Sequence, residues 1–188
     1  MRKLKLQMQV SLDGFASAGP NDEQKWVTWA LEEIYSYVTG IFASADTILI
    51  GRKLAIDYIP YWQETFKKPD DPMHEFAVKI VTSKKIVFTK TLKKSEWDNT
   101  EIATGDLVEE ISKLKSQPGG DMVVYGGVSF VASLLKEQLI DEIHLFVNPV
   151  AIGQGESPFS NLEGFQQLKL QRCVPFPSGI VLLTYTLR

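Results

Sequence analysis

Four short, uninterrupted apolar runs punctuate the chain, at residues 47–50, 86–88, 122–125 and 143–147. Runs without alternation suit strands covered on both faces, the condition of a parallel sheet lying between helices. Between them the spacing turns helical. From 23 to about 42, Val27, Ala30, Leu31, Ile34, Val38 and Ile41 share one stripe, with Asn21 or Asp22 as N-cap. Helical spacing returns at 71–82 (Phe76, Ile80), 105–115 (Leu107, Ile111, Leu114) and 128–138 (Val128, Val131, Leu134, Leu135). Strands alternating with helices predict an α/β fold.

The two ends read differently. Residues 4–10, Leu-Lys-Leu-Gln-Met-Gln-Val, alternate strictly and predict a strand with one wet or lined face, ending at the Asp13-Gly14 turn. Residues 16–24 read as an irregular loop. Residues 168–174 alternate, 175–179 turn, and 180–187 are apolar, which predicts an antiparallel hairpin closing the sheet. No repeat or long linker divides the 188 residues, so one domain spanning 1–188 is expected.

Charge and composition exclude several classes. Twenty Lys and Arg against 23 Asp and Glu give a net charge of −3, without the basic excess of a nucleic-acid binder. No apolar run reaches the roughly 20 residues of a membrane span. The N-terminal Met-Arg-Lys-Leu-Lys leads into alternation, not an apolar signal segment. A cytoplasmic protein without a membrane or nucleic-acid partner is expected. The lone Cys173 cannot form an internal disulfide, and with His74 and His144 it makes no cysteine-rich zinc site, so no metal is expected.

Three strand ends carry polar chemistry. At 123–129, Val-Val-Tyr-Gly-Gly-Val-Ser, a buried strand meets two glycines and opens a helix. Glycine allows close backbone approach, and a helix N-terminus offers unpaired N–H groups to a phosphate; a tight strand-to-helix turn is the plain alternative. At 48–54, a strand ends in Gly51 followed by Arg52 and Lys53, cations that oppose the helix dipole unless an anion sits there. The alternative is that both point to solvent. At 86–91, a third strand delivers Thr89, Lys90 and Thr91. In an open α/β sheet ligands bind beyond the carboxyl ends of parallel strands, so the three clusters converge there. No G-x-G-x-x-G follows a strand.

In order along the chain, Ser11-Leu12-Asp13-Gly14, Gly51-Arg52-Lys53, Thr89-Lys90-Thr91-Leu92, Val124-Tyr125-Gly126-Gly127-Val128-Ser129, Leu139-Ile140-Asp141-Glu142-Ile143 and the 149–155 stretch Pro-Val-Ala-Ile-Gly-Gln-Gly resemble the dihydrofolate-reductase-like superfamily. Within it the chain is most similar to the reductase domain of riboflavin-biosynthesis deaminase/reductase proteins. The resemblance implies a three-layer fold with a mostly parallel central sheet and antiparallel C-terminal strands, a homodimer, and NADPH as cofactor. It implies that Gly126, Gly127, Val128 and Ser129 cradle the pyrophosphate. Gly51, Arg52, Lys53, Thr89 and Lys90 would then face the adenosine side, and the strand near Gln9 and Val10 would approach the nicotinamide. The implied activity is hydride transfer to a small heterocyclic substrate, most like reduction of 5-amino-6-(5-phosphoribosylamino)uracil. Dihydrofolate reduction and non-catalytic nucleotide binding are the alternatives.

Two positions depart from the family pattern: Leu54 stands where a threonine hydroxyl is usual, and Phe15 where the riboflavin reductases carry lysine. The first-helix region offers Glu23, Glu32 and Glu33, none in a folate-type motif, and the H-x-E and P-C-x-x-C set of a zinc deaminase is missing from the 188 residues. Hydride transfer asks the protein to position the acceptor and supply a proton. Asp13, at the cleft end of the first strand, is the candidate donor, with a turn aspartate before Gly14 as the alternative. Gln7 and Gln9 line either a substrate pocket or another surface. The 58–62 aromatics, Tyr-Ile-Pro-Tyr-Trp, are a candidate ring-binding wall.

Overall fold

The continuous apolar runs form the interior of one eight-stranded sheet. The structure, a computed structural model, describes residues 1–188. In chain order the elements are β1 (Leu4–Ser11), α1 (Leu31–Ala43), β2 (Ala45–Gly51), α2 (Arg52–Phe66), α3 (His74–Thr82), β3 (Lys84–Phe88), β4 (Thr100–Ala103), α4 (Leu107–Ser116), β5 (Asp121–Gly126), α5 (Val128–Lys136), β6 (Glu142–Asn148), β7 (Leu168–Pro175) and β8 (Val181–Leu187). Their spatial order is β4-β3-β2-β5-β1-β6-β8-β7. The first six pair in parallel, whereas β8 runs antiparallel to β6 and β7 antiparallel to β8. The predicted C-terminal hairpin is present.

Period-two side-chain direction divides the core between the two faces. Leu4, Leu6, Met8 and Val10 of β1 pack with Ile111 of α4 and Val131 and Leu134 of α5. On the other face Val123 and Phe146 meet Ile34 and Phe42 of α1, Tyr58 and Trp62 of α2, and Phe76 of α3. The chain moves outward from β1 to β4, then returns through β5 to β6. Right-handed crossovers in opposite directions put their helices on opposite faces. At such a reversal an open α/β sheet forms its ligand crevice, outside the carboxyl ends of the central strands. No helix is long and apolar enough to cross a membrane.

Several expectations need correction. For the alternating first strand the lined alternative holds and the wet one falls: it is central, between β5 and β6, with Gln7 only 4% exposed and Lys5 and Gln9 half-buried. The helix expected over 23–42 begins at Leu31. Its early part is irregular, with positive φ at Gln24 and Trp29. Asp22 stabilises that loop by accepting from the backbone N–H groups of Ala18 and Gln24 and from Trp26 Nε1, and so does not cap a helix. The short edge strand β4 had no apolar signature to reveal it. The 58–62 aromatics are not a loop-side wall: they lie within α2, and Tyr58, Ile59 and Trp62 are buried in the core.

One buried cation anchors this scaffold away from the crevice. Lys85, 2% exposed on β3, donates from Nζ to the carbonyls of Ile80, Val81 and Ser83 at the end of α3. These are the carbonyls that a helix C-terminus leaves without partners. Burial pushes the Lys85 pKa down to about 8. Between that value and the ordinary lysine range the unfolded chain binds more protons than the folded one, so this residue's contribution to stability rises with pH. Urea midpoints of the wild type are expected to gain relative to Lys85→Met as pH is raised from 7 to 10.5. Parallel pH profiles would refute the assignment.

Candidate functional site at the carboxyl edge of the sheet

Two strand-to-helix turns meet back to back in the crevice. Gly51 ends β2 and caps α2, and Gly127 follows β5 and caps α5. A Cβ at Gly127 would lie 3.4 Å from the Gly51 Cα, and a Cβ at Gly51 would lie 3.0 Å from Phe130 Cβ. Gly127 also adopts φ 76°, which side-chain-bearing residues rarely occupy. Phe130 stacks on Phe88 at 4.8 Å, joining α5 to the end of β3. In register, Gly51 pairs with Phe88 and Ile50 with Gly126, so the three polar strand ends do come together.

Both helix starts are bare of competing groups. Neither α2 nor α5 has a side-chain N-cap bond or an acidic residue in its first turn. Unpaired N–H groups and the positive end of the dipole therefore face the crevice from two sides. Arg52 is partly buried, Lys53 and Ser129 are exposed, and Val128 packs against the core beneath. Neither Arg52 nor Lys53 enters any of the chain's ion pairs. Thr89 is nearly buried and its Oγ1 accepts from the backbone N–H groups of Thr91 and Leu92, shaping the loop. Lys90 reaches the carbonyls of Thr104 and Gly105 at 3.2 and 3.1 Å, so it braces the loop before α4.

Asn148, which the sequence reading passed over, sits at the centre of the edge. It is fully buried, and its Oδ1 accepts from the backbone N–H of Thr28 at 2.9 Å. Its Nδ2 donates to Gln9 Oε1 at 2.9 Å and to the carbonyls of Phe146 and Val10. One amide thus holds β1, β6 and the irregular 24–30 segment together. The available signal was an amide at the end of an apolar strand immediately before Pro149.

Asp13 holds the rim. Ser11 Oγ donates to its Oδ1 at 2.6 Å, and the backbone N–H groups of Ile152 and Gly153 donate to the carboxylate, the latter at 2.7 Å. The Ser11 bond and the Gly153 N–H keep its pKa below the ordinary aspartate value. The neighbouring turn is laced to the 150–156 segment by Leu12 N–H to Val150 O and by a bridge between Ser17 and Glu156. Among the folate-type candidates, Glu23 pairs with Lys25, Glu32 is exposed, and Glu33 accepts from the Ser178 N–H. A hollow of about 630 Å³ lies at the opposite end of the strands and is lined by polar residues including Arg2, Lys115 and Asp121.

Residues 2–182 match the RibD C-terminal domain family. The chain belongs to that family. It is 35% identical to the uncharacterized protein YyaP of Bacillus subtilis (strain 168) over 187 residues, covering 98% of this chain and 94% of the relative. Two solved structures share the fold. One is the Thermotoga maritima diaminohydroxyphosphoribosylaminopyrimidine deaminase/5-amino-6-(5-phosphoribosylamino)uracil reductase, with TM-score 0.71 and 19% identity, covering 100% of this chain and 57% of that one. The other is Enterococcus faecalis dihydrofolate reductase complexed with NADP(H), with TM-score 0.62 and 14% identity, covering 99% and 96%. The α/β fold is therefore dihydrofolate-reductase-like, as the ordered motifs implied.

Within this RibD C-terminal domain the two departures acquire structural meaning. Leu54 lies over Gly126, where an added Cβ would come within 2.8 Å of its Cδ2, so an apolar side chain covers the glycine turn. At Phe15 the backbone N–H donates to Ser11 Oγ, and its side chain brings no cation to the rim. The Asp13 carboxylate contributes to rim order above the unfolded aspartate pKa, and that contribution is lost as pH falls through its lowered folded value. Asp13→Ala is expected to speed amide exchange at Ile152 and Gly153 several-fold at pH 7. The wild type should approach the variant only at strongly acidic pH. Equal exchange at pH 7 would rule out the tether.

Proposed function

We propose that the chain is an NADPH-dependent reductase of a small heterocycle, most like the reduction of 5-amino-6-(5-phosphoribosylamino)uracil. The observation that carries this reading is the Gly51–Gly127 contact, which places two uncapped helix N-termini and the unpaired Arg52 around one glycine-lined crevice. That arrangement suits a ligand with several phosphate charges, because backbone N–H groups can approach where no Cβ intervenes. Bound NADPH would supply the hydride.

In this reading Gly126, Gly127, Val128 and Ser129 hold the pyrophosphate. Arg52, with Lys53 nearby, favours a 2′-phosphate through charge-assisted hydrogen bonds. Thr89 and Lys90 shape that side of the crevice by ordering its loops. Val10 lends main-chain structure to the nicotinamide side, where Asn148 fixes its carbonyl. Asp13 acts as a positioning residue: an exposed carboxylate with a lowered pKa and three donors is a poor proton source. Folate reduction has less support, since the partly buried Glu33 is already bonded to the Ser178 N–H.

Titration calorimetry is expected to show NADPH binding more tightly than NADH. Arg52→Ala should remove about 1.5–3 kcal/mol from NADPH binding, roughly 10–100-fold, and leave NADH affinity nearly unchanged. No binding of either nucleotide to the wild type would overturn the proposal, and binding without turnover of any pyrimidine or pterin would convert it to nucleotide binding alone.

A further inference from the structure

The hydrogen-bond chain through Asn148 fixes which end of the Gln9 amide is free. A backbone N–H can only donate, so the Thr28 N–H requires the Asn148 oxygen on its side. The Asn148 nitrogen then faces three acceptors, the carbonyls of Val10 and Phe146 and the side chain of Gln9. Gln9 must therefore turn its Oε1 toward Asn148. Its Nε2, which makes no hydrogen bond within the chain, is left as a held donor on a partly buried side chain.

A second observation lies two residues away on the same face of β1. Gln7 is 4% exposed, yet its amide is not among the fully enclosed side-chain groups left without a partner. Both amides face α1, on the side of the sheet opposite the Leu6 and Met8 side chains. A carboxylate at this place would select a substrate edge rich in N–H donors. An amide held with its nitrogen outward selects the reverse.

We infer that Gln9 is a specificity-determining residue that donates to a ring carbonyl of the substrate, and that Asn148 is the positioning residue that sets its polarity. Within the heterocycle already proposed, this donor reads a carbonyl edge and rejects a diamino-substituted edge that presents an amidine. Gln7, whose amide can donate or accept, completes the polar floor beside it. This inference rests on the reductase reading of the same crevice.

The test is calorimetric titration of the NADP⁺-saturated protein with 5,6-diaminouracil and with 2,4-diaminopyrimidine, beside separate titrations with NADPH. The wild type should prefer the uracil by about 10-fold or more, because a site built to donate rejects an edge that also donates. Gln9→Glu keeps an acceptor toward Asn148 but replaces the outward donor with an acceptor, so the preference should reverse. Gln9→Met should weaken the uracil by about 10-fold without gaining the diaminopyrimidine. Because Gln9 and Asn148 border the proposed nicotinamide side, NADPH is titrated against each variant as well, and the ring preference is compared at cofactor saturation. Asn148→Ala, where circular dichroism shows it folded, should lose the preference; where it does not fold, the two Gln9 variants decide. If wild type and Gln9→Glu show the same preference, or neither ring binds, while NADPH still binds, the inference is overturned and the reductase reading stands. Failure of the wild type to bind NADPH overturns the reading itself.

Discussion

The close approach of backbone at Gly51 and Gly127 is the constraint on which the rest of the carboxyl edge depends. A Cβ at Gly51 would crowd Phe130, and Gly127 needs a positive φ. That contact locks the start of α2 against the start of α5, although the two helices belong to opposite layers of the sheet. Phe130 on Phe88 then extends the lock to β3. The crevice is thus defined by main chain and packing, elements whose positions vary little. Side chains such as Arg52 only decorate it. A preorganised cradle of this kind avoids the ordering cost that binding otherwise imposes.

Beside this apolar lock, the ends of β1 and β6 are organised by polarity. Asn148 is buried where three segments meet, and every one of its amide functions is used. A fully satisfied buried network specifies one arrangement, because any alternative leaves a donor or acceptor unmatched in low dielectric. The 24–30 segment, with little regular hydrogen bonding of its own, takes its position from this residue. The glycine turns and the Asn148 junction are therefore held by different physics, contact at one and hydrogen-bond direction at the other.

Much of this was legible from residue order. The apolar runs gave away β2, β3, β5 and β6 because burial on both faces removes alternation, and the three polar strand ends were recognisable because parallel topology sends them to one edge. Other features were hidden for reasons of the same kind. The alternation of Lys5, Gln7 and Gln9 left a wet and a lined face equally open, because only the sheet order shows that β1 is central, with Gln7 buried and Lys5 and Gln9 half-buried. Val27 and Ala30 fit a helical stripe, but tertiary bonds to Asn148 override the local periodicity and delay α1 to Leu31. Asp13 does follow the first strand, but its carboxylate environment depends on Ile152 and Gly153, some 140 positions away. Asn148 was missed because its role exists only where three distant segments meet.

The lacing of the 11–17 turn to the 150–156 segment carries one more implication. Leu12 bonds to Val150, Asp13 to Ile152 and Gly153, and Ala16 and Ser17 both to Glu156, so the two segments run side by side like the teeth of a zip. At Gly155 the spacing is so close that an added Cβ would meet the Ser17 carbonyl. An insertion in either segment would put all later partners out of step. Among relatives, length changes in this rim are accordingly expected in matched pairs, one in each segment, so that the two loops vary as a single inherited unit.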